Sequence, residues 1–104
     1  MIFVETKVFT RQVMTLLSDE DYRGLQERLA EHPDAGTMIK GTGGIRKLRW
    51  VGEGRCKSGG VRVIYYWATE KARIFLLFMY PKSERDDLSS QERRILRRIV
   101  EHEE

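Results

Sequence analysis

The chain has 104 residues, 40% of them hydrophobic and 34% charged, which excludes an intrinsically disordered polymer and fits one domain, residues 1–104, around a modest core. No apolar run reaches the roughly 18 residues of a membrane span, MIFVETKVF lacks the basic start of a secretory signal, and the single cysteine, Cys56, excludes an internal disulfide and suits a reducing cytoplasm. The net charge of +3 is unevenly spread: residues 1–39 hold 4 basic and 7 acidic side chains, residues 40–85 hold 11 and 3, and residues 86–104 hold 4 and 6. The central excess creates a positive potential that draws phosphates, although a solvated basic surface has the same composition.

Ile2-Phe3-Val4 predicts a short first strand. From Thr6 to Leu17, the apolar residues Val8, Phe9, Val13, Leu16 and Leu17 recur at helical spacing. Ser18 followed by Asp21 is a capping-box-like start for a second helix, whose apolar face carries Tyr22, Leu25 and Leu29 and which Pro33 stops. The two helices are expected to form a hairpin covering one face of a sheet.

The period then changes. GTGG at residues 41–44 lacks the G-x-x-x-x-G-K-[ST] pattern of a nucleotide-binding loop and reads as a turn. Ile45–Val51, Val61–Ala68 and Ala72–Tyr80 are rich in β-branched and aromatic residues and predict three strands. A mobile, basic, glycine-rich hairpin loop, Gly52–Gly60, and the tight turn Thr69-Glu70-Lys71 would join them into an antiparallel meander. Ser89 with Glu92 repeats the capping signature before a last helix, whose apolar stripe is Ile95, Leu96, Ile99 and Val100. Arg93, Arg94, Arg97 and Arg98 bring like charges to i and i+4, a mild penalty that an anion or a neighbouring Glu92 or Glu101 would relieve.

Strand side chains alternate between faces. Lys47 and Arg49 share one face and Leu48 and Trp50 the other, with Arg46 at the strand's edge, and Arg62 points opposite to Val61 and Val63. One register places Lys47, Arg49, Arg62 and Lys82 together on an open face. Tyr65, Tyr66, Trp67 and Tyr80 interleave rings with these charges, a mixture that suits single-stranded RNA, though most of these rings serve equally well as core. Other chemistries have fewer supports. His32 and His102 have no companions at zinc-ligand spacing, so no metal or other cofactor is expected. Cys56, in a glycine loop without a fixed histidine, makes a poor nucleophile.

The order strand, two helices, meander, helix resembles the RelE/ParE superfamily of type II toxins. More narrowly, GTGGIRKLRW, GGVRVIYYW and IFLLFMYPKSERDDLS look like HigB-type toxins of the RelE branch, and the resemblance spans essentially the whole chain. It implies an α+β fold, with an N-terminal strand and helical hairpin packed on an antiparallel meander and a C-terminal helix. It also implies a ribosome-dependent messenger RNA endoribonuclease, cytoplasmic and acting in the ribosomal A site, held inactive by a cognate HigA-type antitoxin with a helix-turn-helix domain. Carried over position by position, Lys47 and Arg49 match the two basic positions of the catalytic strand, Arg62 the arginine after the hairpin loop, and Lys82 the basic position after the last strand, with Arg85 its competitor. Arg46, Arg55, Lys57, Tyr80 and Arg85 are expected to bind RNA or the ribosome. The tyrosine that RelE carries farther on has no counterpart in DDLSSQE, and Tyr80 is the substitute to consider. Lys47, among like charges that favour a neutral amine, is the expected proton carrier. Two rival classes stand beside this one: a ParE-like toxin acting on DNA gyrase, and an RNA-binding module without catalysis.

Overall fold

The computed structural model describes residues 1–52, 60–85 and 87–103. Among these residues the chain runs β1 (Ile2–Glu5), α1 (Lys7–Leu16), α2 (Asp19–Glu31), β2 (Thr37–Met38), β3 (Ile45–Trp50), β4 (Val61–Ala68), β5 (Arg73–Pro81) and α3 (Ser90–Glu103). A 3-10 turn at Thr69–Lys71 joins β4 to β5. Arg55, Cys56 and Lys57, and with them most of the expected hairpin loop, lie outside the described residues.

Each helix begins where a side chain can take up an orphan amide. The Thr6 hydroxyl accepts from Phe9 N at 3.0 Å and donates to Leu77 O at 2.8 Å, so one residue caps α1 and ties it to β5. Ser18 Oγ accepts from Asp21 N at 3.1 Å at the start of α2, and Asp19, Glu20 and Asp21 in that first turn favour the helix dipole. Before Pro33 the helical conformation is disfavoured, and α2 closes at His32, whose N–H donates to Arg28 O at 2.8 Å. At α3 the capping box is reciprocal: Ser89 Oγ accepts from Glu92 N at 3.1 Å and Glu92 Oε1 accepts from Ser89 N at 2.8 Å.

The sheet has the order β1-β5-β4-β3-β2. The meander β3-β4-β5 is antiparallel as expected, β2 pairs antiparallel on its outer edge, and β1 pairs parallel to β5. Ile64 lies opposite Phe78 whereas Tyr65 lies opposite Leu76, so Leu77 is an extra residue, and its carbonyl is the one that Thr6 binds.

Two apolar layers result. On one face Phe9, Val13, Leu17, Leu25 and Leu29 of the helical hairpin pack on Val61, Val63, Tyr65, Ile74, Leu76 and Met79, with Leu48 and Trp50 against them. On the other, Leu88, Leu96 and Val100 pack on Ile39, Ile45, Ile64, Phe75 and Leu77. The expectation of an open face opposite the hairpin is therefore corrected. α3 roofs the apolar part of that face, and the cations occupy the strand ends where the apolar rows stop.

Candidate functional site

Cross-strand register sets out the site row by row. Ile45 faces Tyr66, and Tyr66 faces Phe75, under the α3 layer. Two residues along β3, Lys47 faces Ile64, which faces Phe78; two further, Arg49 faces Arg62, which faces Tyr80. Lys47, Arg49 and Arg62 thus share one face by strand parity, opposite the helical hairpin. Gly60 permits this last row, because the backbone there has φ +82° and a Cβ would sit 2.5 Å from Trp50 O. It brings β4 in tight against the end of β3.

Two arginines directly opposite one another repel. Arg62 is half-buried, and its Nε is closed from solvent with no hydrogen-bond partner among the described residues. A buried donor without a partner is costly, and an anion brought to this row would relieve both penalties. Tyr80 closes the row with only 3% of its surface exposed. Burial is the main cause that raises its phenol pKa, Asp87 adds to this, and Arg62 and Arg85 oppose it. The hydroxyl stays protonated near neutrality and is a poor base.

Arg85 lies over the Tyr80 ring at 4.6 Å and the Phe78 ring at 5.5 Å. Its Nη1 and Nη2 donate to the two Glu92 carboxylate oxygens at 2.6 and 2.9 Å. That hydrogen-bonded pair holds Glu92 below the usual carboxylate range and raises Arg85. Glu92 therefore does two jobs, capping α3 and fixing Arg85 against the rings. Lys82 continues the parity of Tyr80 just past β5, and its N–H donates to Gly60 O at 3.1 Å. Both candidates for the last basic position thus sit at the Tyr80 end of the sheet, Arg85 with its charge already matched.

Some of the expected residues fall elsewhere. Arg46 turns toward the hairpin side and donates to Gly36 O at 2.8 Å and Asp34 O at 3.3 Å, holding the segment before β2. Tyr65 is fully buried on that side; its hydroxyl donates to Pro33 O and accepts from Gly36 N, both at 2.8 Å. Trp67 also packs on the hairpin side, and Tyr66 stacks on Phe75 at 6.5 Å. Of the four interleaved aromatics, Tyr80 alone lies in the cationic row.

The sequence had not pointed to Asp87, and it offered Arg93 only as one of four helix arginines whose like charges an anion would relieve. Asp87 Oδ1 lies 3.8 Å from Lys47 Nζ and accepts from Leu88 N at 2.9 Å, while Oδ2 lies 3.0 Å from Arg93 Nη2. The neighbourhood of Lys47 is thus not one of like charges only, as its strand suggested, since a carboxylate reaches it from the segment before α3. The signal was an aspartate just ahead of a capping serine, a position from which its side chain binds local backbone. Among the described residues no group of three or more His, Cys, Asp or Glu side chains could hold a metal ion, and no helix is long and apolar enough to cross a membrane.

A family model described as the RelE toxin of the RelE/RelB toxin–antitoxin system matches residues 2–103. Among solved structures, the isolated E. coli RelE toxin is similar at 18% identity with a TM-score of 0.59, covering 94% of this chain and 97% of that one. RelE in the intact E. coli RelBE toxin–antitoxin complex is similar at 18% identity and a TM-score of 0.57, over 75% of this chain and 92% of that one. A double arginine-to-alanine variant of E. coli RelE in the free state gives 17% identity and a TM-score of 0.56, over 80% and 84%. At these identities the structural likeness is one of fold.

Proposed function

This chain belongs to the RelE toxin family, and from that premise we propose that it is a HigB-type, ribosome-dependent messenger RNA endoribonuclease made of a single toxin domain. The observation that carries the reading is the Arg49–Arg62–Tyr80 row, with a buried Arg62 Nε, unpartnered among the described residues, at its centre.

The chemistry follows from RNA itself. The 2′-hydroxyl before the scissile phosphate attacks phosphorus, the bond to the 5′-oxygen breaks, and a 2′,3′-cyclic phosphate and a 5′-hydroxyl result. The hydroxyl must be activated, the added negative charge stabilised, and the leaving oxygen protonated. Arg49 and Arg62 are built for the second task, with Lys82 at the same end of the sheet. Arginine keeps its proton in proteins and makes a poor base, and burial keeps Tyr80 protonated. Lys47, on the same face of β3, is the side chain assigned to move a proton. With weak acid–base groups, rate depends on holding the 2′-hydroxyl in line with the phosphate, and a message threaded through the ribosomal A site comes already oriented.

Such a toxin works in the cytoplasm, where ribosomes and messages are. Its partner on this reading is a cognate antitoxin of HigA type, with a helix-turn-helix domain and an acidic segment that neutralises the basic face. E. coli RelE, of the same fold, has been seen in complex with its antitoxin.

The test uses purified ribosomes programmed with a defined message. The expected result is cleavage of the ribosome-bound message and little or none of the same message free in solution. Equal cutting of both, or binding without cutting, would overturn the ribosome-dependent nuclease reading. Inhibition of DNA gyrase instead would place the chain with the ParE-like toxins.

A further inference from the structure

We propose that Asp87 holds, in the free protein, the place of a second RNA phosphate, and that Arg93 of α3 is a phosphate-binding residue that this carboxylate masks. The inference rests on the RNA-directed reading above and extends it to a second subsite on the same face.

Two cations from separate elements converge on this one carboxylate, Lys47 Nζ from β3 at 3.8 Å and Arg93 Nη2 from α3 at 3.0 Å, beside the backbone N–H of the next residue, Leu88, at 2.9 Å. Two cations and an amide around one point are the surroundings of an oxyanion. Arg93 is also incompletely used. Its Nη2 meets Asp87, while its Nε is closed from solvent and without a partner among the described residues. A phosphate at the place of Asp87 has oxygens for both edges of the guanidinium fork and for Lys47, which the two oxygens of Asp87 do not satisfy together.

The position fits a chain of phosphates. Lys47 lies two residues from Arg49 on the same face of β3, about 6.6–6.8 Å along the strand, comparable with the step between neighbouring phosphates of an extended RNA. One phosphate on the Arg49–Arg62 row thus sets the next at Lys47 and Arg93. Displacement needs no disassembly of the core, because the Asp87 side chain is 45% exposed and belongs to the segment ahead of α3. Until displaced, its charge opposes the approach of RNA. Its influence reaches the site itself, since Asp87 is one of the charges that raise Tyr80.

The experiment uses the full chain and a fluorescent 2′-O-methyl RNA oligonucleotide, which offers phosphates but no attacking hydroxyl, with binding followed by anisotropy at low salt. Asp87→Asn keeps an oxygen for the Leu88 amide and removes the charge; it should bind about 3- to 10-fold more tightly, while Arg93→Gln binds more weakly by a similar factor. In Asp87→Asn/Arg93→Gln the gain from the first change should shrink, because the two act on one subsite. Unchanged or weaker binding by Asp87→Asn, at an unchanged Tm, overturns the proposal. So does a loss of 100-fold or more in its cleavage rate on saturating ribosomes, which would make Asp87 a proton acceptor. If the Asp87→Asn variant folds poorly, the Arg93→Gln arm decides alone: an oligonucleotide affinity equal to the parent's overturns the proposal. The two readings fail separately. No cleavage on ribosomes with this binding pattern intact sinks the nuclease reading, and normal cleavage with no effect of Asp87→Asn sinks the masked subsite.

Discussion

Replacing Arg62 by alanine separates chemistry from stability more sharply than any other single change. Its Nε has no partner among the described residues, so truncation breaks no hydrogen bond at that atom. It relieves the repulsion with Arg49 opposite, about 0.2–1 kcal/mol for such a cross-strand pair. It also removes the two outer methylenes of a half-buried stem, which costs about 0.8 kcal/mol at half the usual 0.8 per methylene. The two nearly cancel, so the Tm should move by no more than about 4–8 °C. The barrier is another matter. Loss of one donor aimed at the charge on the transferring phosphate should raise it by about 2–4 kcal/mol, on the order of 10²–10³ in rate. Single-turnover cleavage of a defined message on saturating ribosomes reads that factor free of binding. Arg62→Lys should recover only part of it, because an ammonium keeps the charge but not the planar fork. Lys47→Ala should fall by a comparable factor and alter the pH dependence if Lys47 moves a proton. Parental rates in both Arg62→Ala and Lys47→Ala would refute the assignment of chemistry to this face.

Two further outcomes concern the frame around the site. Arg85→Ala removes the paired hydrogen bonds to Glu92 and the contact with the Tyr80 ring and should cost about 1–2 kcal/mol in urea unfolding, a lower midpoint at constant m. Because the folded protein holds Glu92 below its ordinary value of 4.5, that pair's stabilisation is present above about pH 4.5 and lost as the pH falls through the depressed value; the parent should therefore lose stability more steeply than Arg85→Ala in this acid range. Tyr65→Phe strands the Gly36 N–H and the Pro33 carbonyl and should cost about 1–3 kcal/mol by thermal unfolding, with the cleavage rate per folded molecule unchanged.

Much of this arrangement was legible in the residues. Period and capping chemistry located all three helices, and β-branched runs located the meander within a residue or so at each end. Parity alone put Lys47, Arg49 and Arg62 on one face. Parity also assigns Arg46 to the side of Leu48, where it binds loop carbonyls, so its grouping with the RNA-facing cations ran against the strand's own alternation. The covering of the second face was signalled too: IFLLFMY in β5 is a continuous apolar run, which belongs to a strand buried on both sides. What could not be read was long-range. Three apolar residues at the N-terminus do not say that β1 pairs parallel to β5. The two-residue β2 has no pattern to detect. The stripe on α3 does not say which sheet face it seeks, and without that docking the meeting of Asp87, Arg93 and Lys47 is invisible.

The central claim is that this face lets an RNA 2′-hydroxyl displace the neighbouring phosphate's 5′-oxygen, and the ends of the cut message test it most directly. A message carrying a single 2′-O-methyl group at the mapped cut position is compared on ribosomes with its unmodified twin. The account predicts a 2′,3′-cyclic phosphate and a 5′-hydroxyl from the unmodified message and no cleavage at the blocked position. A 5′-phosphate end, or undiminished cutting beside the 2′-O-methyl group, would contradict it.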